Sequence, residues 1–447
     1  MAADDKAGRR RLPYHDTGWS WVVAAACGWC FFWTMIVNRC GGIVFVTMIS
    51  EMGASRETAS WPFSLLGAVS NIFAVVSGVL IRRLPLKTVS ILGSLLVATG
   101  VLLCAAVYNI TAIIISLGVI TSIGQGLIFP SNMVAINSYF QKYRASGSGI
   151  SYVGGTLVSF VFPPILLYLN ETYGLRGTLL IVGGFTLNAV AGSLLISRPQ
   201  ERRPKARTVE EPLTPLQKVD EPPTEKQTKP LSTFRKELSF FKRPMYYVIV
   251  VTGVVYAYDL VMFNVTIVDY GIGHGHSKWE AALLLSCYGC GDLIGRIFSG
   301  QLSDRKICRR RHVMAASFLV LSGSFVSLVH SHSMALLGTT SFVFGVASGS
   351  IIILFSVLLV EYFGLEKLPM TIGFHCLVNG LATFPRPLLI GHYRDRGKSY
   401  ESLYALLAAV SFGTGVVWSI ECFLQWLAGR KAKRAENPKI QATSCSA

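Results

Sequence analysis

Long apolar runs, separated by short polar segments, dominate this sequence of 447 residues. A helix needs about 20 mostly apolar residues to cross the hydrocarbon core of a bilayer. Twelve runs of that length are present, centred near residues 34, 70, 98, 123, 158, 187, 256, 290, 320, 348, 380 and 414. Because lipid offers no hydrogen-bond partner to an exposed backbone, each run is expected to be helical. The pattern predicts an all-α membrane protein with twelve transmembrane helices.

A polar interval between the sixth and seventh runs divides the chain into two six-helix halves. Residues 198–243 are rich in Pro, Lys, Arg and Glu and contain few aromatic residues, a composition typical of a disordered linker. A short repeat supports the division, since SGVLIRRLPLK at Ser77 and SGQLSDRKICRR at Ser299 follow the second and eighth runs. The expected organisation is an N-terminal segment at 1–19, the first half at 20–197, the linker at 198–243, the second half at 244–429 and a tail at 430–447.

The charge distribution predicts which side of the membrane each segment faces. A net charge of +17 suggests a nucleic-acid partner, but the basic residues occur in segments that alternate runs place on one side. Lysine and arginine accumulate on the cytoplasmic side of membrane proteins, so both termini and the linker are predicted to be cytoplasmic. The segment with Arg394, Arg396 and Lys398 is an exception, because it falls on the other side. We expect a multi-pass plasma-membrane protein in contact with the lipid bilayer and no nucleic-acid partner.

Several classes of site are missing from the sequence. It contains no phosphate-binding loop of the Walker type, no HExxH, no GxSxG and no dinucleotide fingerprint, so neither an enzyme nor an ATP-driven pump is expected. Its ten cysteines include the pairs Cys27/Cys30 and Cys287/Cys290, which lie in apolar runs without histidine partners and are interpreted as small packing residues. We therefore expect no cofactor and no metal.

Charged residues inside the apolar runs are the strongest functional signal. Each costs roughly 2.5 to 3.5 kcal/mol to insert, so it needs a partner or a role. Asp292 and Arg296 are four residues apart and share one helix face, which allows them to pair directly. One interpretation is that this pair only attaches its helix to a neighbour. The other is that a substrate carboxylate competes for Arg296 while Asp292 takes a proton.

Further charged and polar residues at membrane depth are candidates for a central cavity. Arg39 in the first run is a second candidate anion site, and the alternative is that it is drawn towards a helix break or an external vestibule. The seventh and eleventh runs add Tyr256, Asp259, Asn264 and Arg386. Asp259 is alternatively expected to pair with Arg39 or Arg296. Arg386 stands between two prolines, which free backbone carbonyls that can solvate its charge.

Three motifs resemble known transporter signatures. The stretch that begins at Ser299 contains Gly300, Asp304 and Arg305 and resembles the signature loop of the major facilitator superfamily. The two others resemble signatures of the monocarboxylate transporter family. The first, at the start of the first run, matches at Asp16, Gly18, Trp19 and Trp21 and departs at Thr17 and Ser20. The second, between the fourth and fifth runs, matches at Tyr139, Phe140, Lys142, Arg144, Gly149 and Gly154 and departs at Tyr143, Gly147, Val153 and Val158.

The resemblance implies the major facilitator fold, with two six-helix halves that rock about a central site. It implies transport of a monocarboxylate or related small organic anion, with protons as the coupled ion and Asp292 and Arg296 in the roles above. Proton-coupled members carry a lysine near the position of Arg39, and many members associate with a single-span ancillary glycoprotein. The alternatives are a proton-independent facilitator of an aromatic amino acid or other small solute, and a transporter-like receptor without transport.

Overall fold

The computed structural model describes residues 16–107, 109–140, 143–197, 241–304, 309–331, 333–364, 368–396 and 399–436. Within these ranges the regular structure is helical and contains no strand. The membrane crossings in chain order are α1 (residues 18–52), α2 (Arg56–Arg83), α3 (Leu86–Ala106), α4 (Ile110–Tyr139), α5 (residues 144–173), α6 (residues 175–195), α7 (Pro244–Gly273), α8 (Lys278–Asp304), α9 (Arg310–Val329), α10 (Met334–Phe363), α11 (residues 368–396) and α12 (Glu401–Glu436).

The predicted number of crossings is confirmed for the described chain. Nine helices are long and apolar enough to cross a bilayer, and one of them, Ser146–Leu195, contains two crossings. Gly174 separates these two with a φ of 65°, a left-handed conformation that glycine adopts without steric cost. Two further crossings, α1 and α11, are interrupted helices. Most of the linker and the C-terminal tail fall outside the described residues, so their disorder remains a prediction.

Local sequence explains how the first two crossings are joined. Gly53 ends α1 in the left-handed conformation, with a φ of 63°. Ser55 then caps α2, because its hydroxyl accepts the backbone N–H of Thr58 at 3.1 Å. The turn places α1 and α2 side by side and leaves Arg56 on the side of the membrane opposite the termini.

The interruptions of α1 and α11 lie beside charged residues. The helix of α1 breaks at Met35 and Cys40, and the four residues between these breaks end with Arg39. In α11 the helix Leu368–Ala382 ends before a turn, and a new helical segment begins at Arg386. Irregular backbone at membrane depth is tolerated only where protein surrounds it. Each break therefore positions an arginine within the protein interior.

The two halves contact each other through helices in equivalent positions. α2 packs against α11, and α5 packs against α8, while α1 also contacts α7. Because α2 corresponds to α8 and α5 to α11, the first two contacts are related by exchange of the halves. The central space between the halves is thus bounded by helices of both.

Close glycine contacts fix the position of α8. A Cβ atom at Gly349 of α10 would lie 2.3 Å from the carbonyl oxygen of Asp292, and one at Gly345 would lie 2.3 Å from that of Tyr288. Gly291 and Gly295 of α8 approach the backbone of α10 as closely. A Cβ atom at these positions would lie 2.1 and 2.2 Å, respectively, from the nearest carbonyl oxygen of α10. The small residues allow the two backbones to touch along the segment that carries the charged pair.

The first and fifth crossings meet in the same way at one of the two signature glycines of α5. A Cβ atom at Gly154 would lie 2.0 Å from the carbonyl oxygen of Gly28, whereas one at Gly149 would meet no atom within 4 Å. The close backbone approach therefore requires a glycine at Gly154 but not at Gly149. The position of Gly149 in the second signature has no such packing explanation.

The two signatures that resemble the monocarboxylate transporters are in contact with each other. The backbone N–H of Asp16 donates to the carbonyl oxygen of Tyr139 at 3.0 Å, and the backbone N–H of Tyr143 donates to the Asp16 carboxylate at 3.3 Å. Trp21 packs edge-on against Phe140, with 5.1 Å between ring centroids. The start of α1 is thereby attached to the α4–α5 connection. Lys142 and Arg305 lie outside the described residues, and at Arg144, Gly300 and Asp304 the helical backbone is described without the side-chain environment.

We predict that Gly349→Ala destabilises the protein because the added methyl group has no space beside the Asp292 carbonyl. Overpacking of this kind costs typically about 1 to 3 kcal/mol. The matched control is Gly413→Ala in α12, where a Cβ atom would meet nothing within 4 Å. Thermal unfolding of detergent-solubilised protein should show a lower midpoint for the first variant and an unchanged midpoint for the second. Equal midpoints would contradict the packing argument.

Candidate functional site

A cavity of about 210 Å³ lies between the two halves at mid-membrane. Its wall is mostly apolar and aromatic, and its polar lining residues are Asn38, Arg39, Tyr152, Tyr256, Asn264 and Arg296. Binding sites for small molecules usually combine such a wall with a few polar groups that fix orientation. The cavity is therefore the candidate binding site.

One carboxylate oxygen connects the charged residues of both halves. Asp292 is fully buried, and its Oδ2 accepts the Nε–H of Arg296 at 3.0 Å. The same oxygen accepts from Arg39 NH1 at 3.2 Å and from the Thr156 hydroxyl at 3.4 Å. Asp292 pairs directly with Arg296, as the four-residue spacing predicted. The contacts of Asp292 with Arg39 and Thr156, which belong to the other half, were not predicted.

The position of Arg39 follows from the interrupted first crossing. Arg39 is the last residue of the short helical segment between the two breaks in α1. Its NH1 also donates to the hydroxyl of Tyr288 at 3.0 Å, one turn from Asp292 on α8. Arg39 thus lines the central cavity, and the interpretation that it faces an external vestibule is wrong.

The cavity carries a net positive charge. Arg39 and Arg296 share the single carboxylate of Asp292, which leaves one positive charge when Asp292 is ionised. No aspartate or glutamate is among the described residues that line the cavity, since Asp292 itself is 0% exposed. In a wall of low polarity an unbalanced charge attracts a counter-ion more strongly than in water. This arrangement can bind a small anion.

The remaining candidates fall into two groups. Tyr256 and Asn264 line the cavity, and the Tyr256 hydroxyl is 3.2 Å from that of Ser348. Asp259 does not line it, because its buried carboxylate accepts the hydroxyl of Ser411 in α12 at 2.6 Å. The expectation that Asp259 pairs with Arg39 or Arg296 is therefore wrong. Both arginines instead bind Asp292, since the α7 face that carries Asp259 is turned towards α12.

Arg386 lies behind the cavity wall. Its guanidinium carbon is 4.6 Å from the ring centroid of Tyr258, and its Nε and NH2 atoms have no hydrogen-bond partner among the described residues. A Cβ atom at Gly67, which lines the cavity, would lie 3.5 Å from Arg386 NH1. The side chain is thus next to the cavity without being part of its lining. Its charge adds to the positive potential there.

A second group of charged residues joins the halves on the side opposite the termini. Arg56 of α2 binds Asp269 of α7 through two nitrogen atoms, at 2.7 and 3.2 Å. Asp395 of α11 accepts the first backbone N–H groups of α2 at 3.3 and 3.0 Å. Arg394 lies 3.6 Å from Asp269, and the Tyr400 hydroxyl donates to Asp269 at 2.8 Å. We call Arg56, Asp269, Arg394, Asp395 and Tyr400 the Asp269 cluster.

The Asp269 cluster accounts for Arg394, one of the three basic residues that depart from the charge pattern. Arg394 falls on the side opposite the termini because it neutralises Asp269 there, with its guanidinium also 5.2 Å from the Tyr400 ring. Across the described ranges, every ion pair between the halves belongs either to this cluster or to Asp292. The cavity is therefore separated from the side opposite the termini by a layer of ion pairs.

Comparisons with known proteins identify the family. The family model described as the Major Facilitator Superfamily matches residues 27–387 and 275–440. The chain is 28% identical over 419 residues to monocarboxylate transporter 12 of Homo sapiens, covering 91% of this chain and 80% of that protein. It is 26% identical over 422 residues to monocarboxylate transporter 4 of Gallus gallus, covering 93% and 85%.

A solved structure supports the same fold. The crystal structure of a peptide transporter, POT, in complex with sulfate aligns with a TM-score of 0.68 and covers 89% of this chain and 94% of that one. At 15% identity this similarity concerns the fold alone. The predicted pair of six-helix halves is thereby confirmed. The chain belongs to the major facilitator superfamily, and its similarity to monocarboxylate transporters confirms the resemblance that its signature motifs predicted.

Proposed function

We propose that this protein carries a monocarboxylate or related small organic anion across a membrane by proton symport, through alternating access. The observation that supports it best is the Asp292 carboxylate held between Arg39 and Arg296 at the cavity. When an acid between two cations takes up a proton, it loses its negative charge, and the cations become available to bind an anion. The similar monocarboxylate transporters support the substrate class.

Protonation of Asp292 would change what Arg296 can bind. A neutral carboxyl group holds the guanidinium less strongly, and the guanidinium then takes the substrate carboxylate in a bidentate pair. The proton and the substrate charge cancel, so the loaded site has the same single positive charge as the empty ionised site. The arrangement therefore suits electroneutral symport. Reorientation requires the Asp269 cluster to separate, because it joins the halves on the side opposite the termini.

One observation favours a second candidate, proton-independent facilitated transport. Arginine holds its proton permanently, whereas a desolvated lysine can lose it, so Arg39 contributes a fixed charge. A cavity with one net positive charge can bind a monoanion while Asp292 remains ionised. Acidification of the cell interior during uptake separates the two candidates, since only symport carries protons with the substrate.

We also propose a location and orientation from the charge pattern. Basic residues follow α2, α8 and α12 on the side of the termini, which supports a cytoplasmic location for both termini. The plasma membrane is the proposed compartment. A single-span ancillary glycoprotein is a proposed partner, on the resemblance to the family. Protease protection of tagged termini in sealed vesicles tests the orientation.

We predict that Asp292→Asn abolishes the stimulation of substrate uptake by external acid. The asparagine mimics the protonated acid, so Arg296 stays free for anions but no proton can be carried. Exchange of labelled for unlabelled pyruvate or lactate should continue, because exchange does not require the empty site to return. Net uptake at acidic and neutral external pH, exchange and surface protein are measured together.

Asp259→Asn is the matched control for this prediction. Asp259 is also a fully buried acid in the second half, but it does not line the cavity. Full acid-stimulated uptake by Asp292→Asn would remove the proton-carrier role. Poor surface expression of that variant alone would favour a structural role, since breaking a buried ion pair costs about 3 to 5 kcal/mol.

We predict that Arg56→Gln opens the cavity more often to the side opposite the termini. The substitution removes the ion pairs to Asp269 and Asp395 that join the halves. Partly exposed ion pairs are worth about 1 kcal/mol or less each, so the loss of two pairs should raise the open population by up to about thirtyfold. The measurement is the rate at which an impermeant thiol reagent, added from that side, modifies a cysteine placed at Asn264 in a cysteine-free background.

Arg310→Gln provides the control for the gating prediction. Arg310 pairs with Glu361 at 3.3 Å, but both residues belong to the second half, so their separation does not release one half from the other. The modification rate should be unchanged in this variant. An equal rate in Arg56→Gln and the unmodified background would show that the Asp269 cluster does not hold the cavity closed.

A further inference from the structure

The cavity has an aromatic wall formed by the first half. Phe31 of α1, Phe129 of α4 and Tyr152 of α5 all line the cavity and contact one another. Phe31 and Tyr152 are stacked with their ring planes 8° apart and their centroids at 6.0 Å. Phe129 lies 5.9 Å from Phe31 and 6.3 Å from Tyr152, measured between ring centroids. We call these three residues the aromatic wall.

The aromatic wall lies next to the guanidinium group that would bind a carboxylate. The Cζ atom of Arg296 is 6.0 Å from the ring centroid of Tyr152. A carboxylate bound at Arg296 thus brings the rest of the same molecule beside the wall. Phe129 is 39% exposed and Phe31 is 4% exposed, so Phe129 is the better placed of the two to contact a ligand.

The size and lining of the cavity indicate what part of a substrate this wall would contact. The cavity also includes Phe63, Leu66 and Ile352, so apolar surface continues beyond the arginines. An acid of two or three carbons would bind the arginines and leave most of that surface in contact with water. An aryl group would cover it, and the burial of apolar surface is favourable in proportion to its area. Aromatic rings also pair favourably in offset or edge-to-face geometry.

The charges of the cavity select against an ammonium group. Arg39 and Arg296 line the cavity, whereas Asp292, the acid that pairs with them among the described residues, is fully buried with its Oδ2 already accepting from both arginines. Arg386 lies behind Gly67 and adds positive potential. An α-amino acid would place its ammonium group within a few ångströms of the carboxylate and hence near these guanidinium groups. Like charges at a binding site act against the wrong ligand.

We propose that the preferred substrates of this site are monocarboxylates that carry an aryl or similarly bulky apolar group and no ammonium group. This proposal rests on the proposed transport function and specifies its substrate class. Arg296 binds the carboxylate, and the aromatic wall binds the apolar group. The positive charge of the cavity excludes the zwitterion of the same shape.

Three compounds test the two parts of the proposal separately. Phenylpyruvate and pyruvate differ only in the phenyl group, and phenylpyruvate and phenylalanine differ only at the α-carbon, where a keto group replaces the ammonium group. Labelled uptake into cells that express the protein and binding to purified protein, from thermal shift, are measured for all three. We expect uptake and binding of phenylpyruvate to exceed those of pyruvate by about tenfold or more, the scale at which apolar contacts discriminate substrates. Phenylalanine should neither bind nor enter above the level of untransfected cells.

A variant of the aromatic wall links the preference to the residues that are proposed to cause it. Phe129→Ala should lower the ratio of phenylpyruvate to pyruvate uptake at least about fivefold, because the apolar contact is lost. The matched control is Phe412→Ala in α12, whose side chain is 55% exposed on the outer surface of the helix bundle. Its uptake ratio should equal that of the unmodified protein.

The outcomes separate this proposal from the proposed function. Uptake of pyruvate without preference for phenylpyruvate, or a ratio unchanged by Phe129→Ala, would overturn the substrate class and leave the transport function standing. Uptake of phenylalanine at the rate of phenylpyruvate would overturn the exclusion of ammonium. Preferential binding of phenylpyruvate to purified protein without uptake would overturn the transport function and support the ligand class. Neither binding nor uptake of any of the three would overturn both.

Discussion

The Asp292 carboxylate is the interaction on which the centre of this structure depends. It is fully buried and forms ion pairs with Arg296 in its own helix and with Arg39 in the other half. A buried charge is costly unless it is paired, so removal of its negative charge affects both arginines at once. The glycine contacts between α8 and α10 hold this acid in place, and the break in α1 brings Arg39 to it. A change at this carboxylate would therefore act on residues of both halves.

The halves are joined at two depths by ion pairs of different character. The central pairs of Asp292 are almost fully enclosed, whereas in the Asp269 cluster Arg56 and Asp395 keep 27% and 25% of their side-chain surface exposed and Asp269 keeps 9%. Exposed pairs are screened by water and separate at little cost, but the central pairs change only when a proton or a ligand replaces a partner. This difference in exposure supports the proposal that coupling belongs to the centre and opening to the Asp269 cluster.

The composition of the cavity combines a fixed positive charge with apolar surface from one half. A guanidinium cannot lose its proton, so Arg39 keeps the cavity attractive to anions at any physiological pH. The aromatic wall supplies apolar surface beside that charge. The proposed substrate class rests on both features.

The sequence alone determined the crossings, the two halves and the pairing of Asp292 with Arg296, because hydrophobic length and four-residue spacing are local properties of a helix. Only the tertiary structure decided that Arg39, 253 residues from Asp292, completes the central ion pairs, and that Asp259 turns to Ser411 instead. The Asp269 cluster and the aromatic wall were likewise decided only by the tertiary structure. Contacts between helices depend on how the helices are rotated about their axes and how closely their backbones approach. The spacing of residues within one helix does not predict either property.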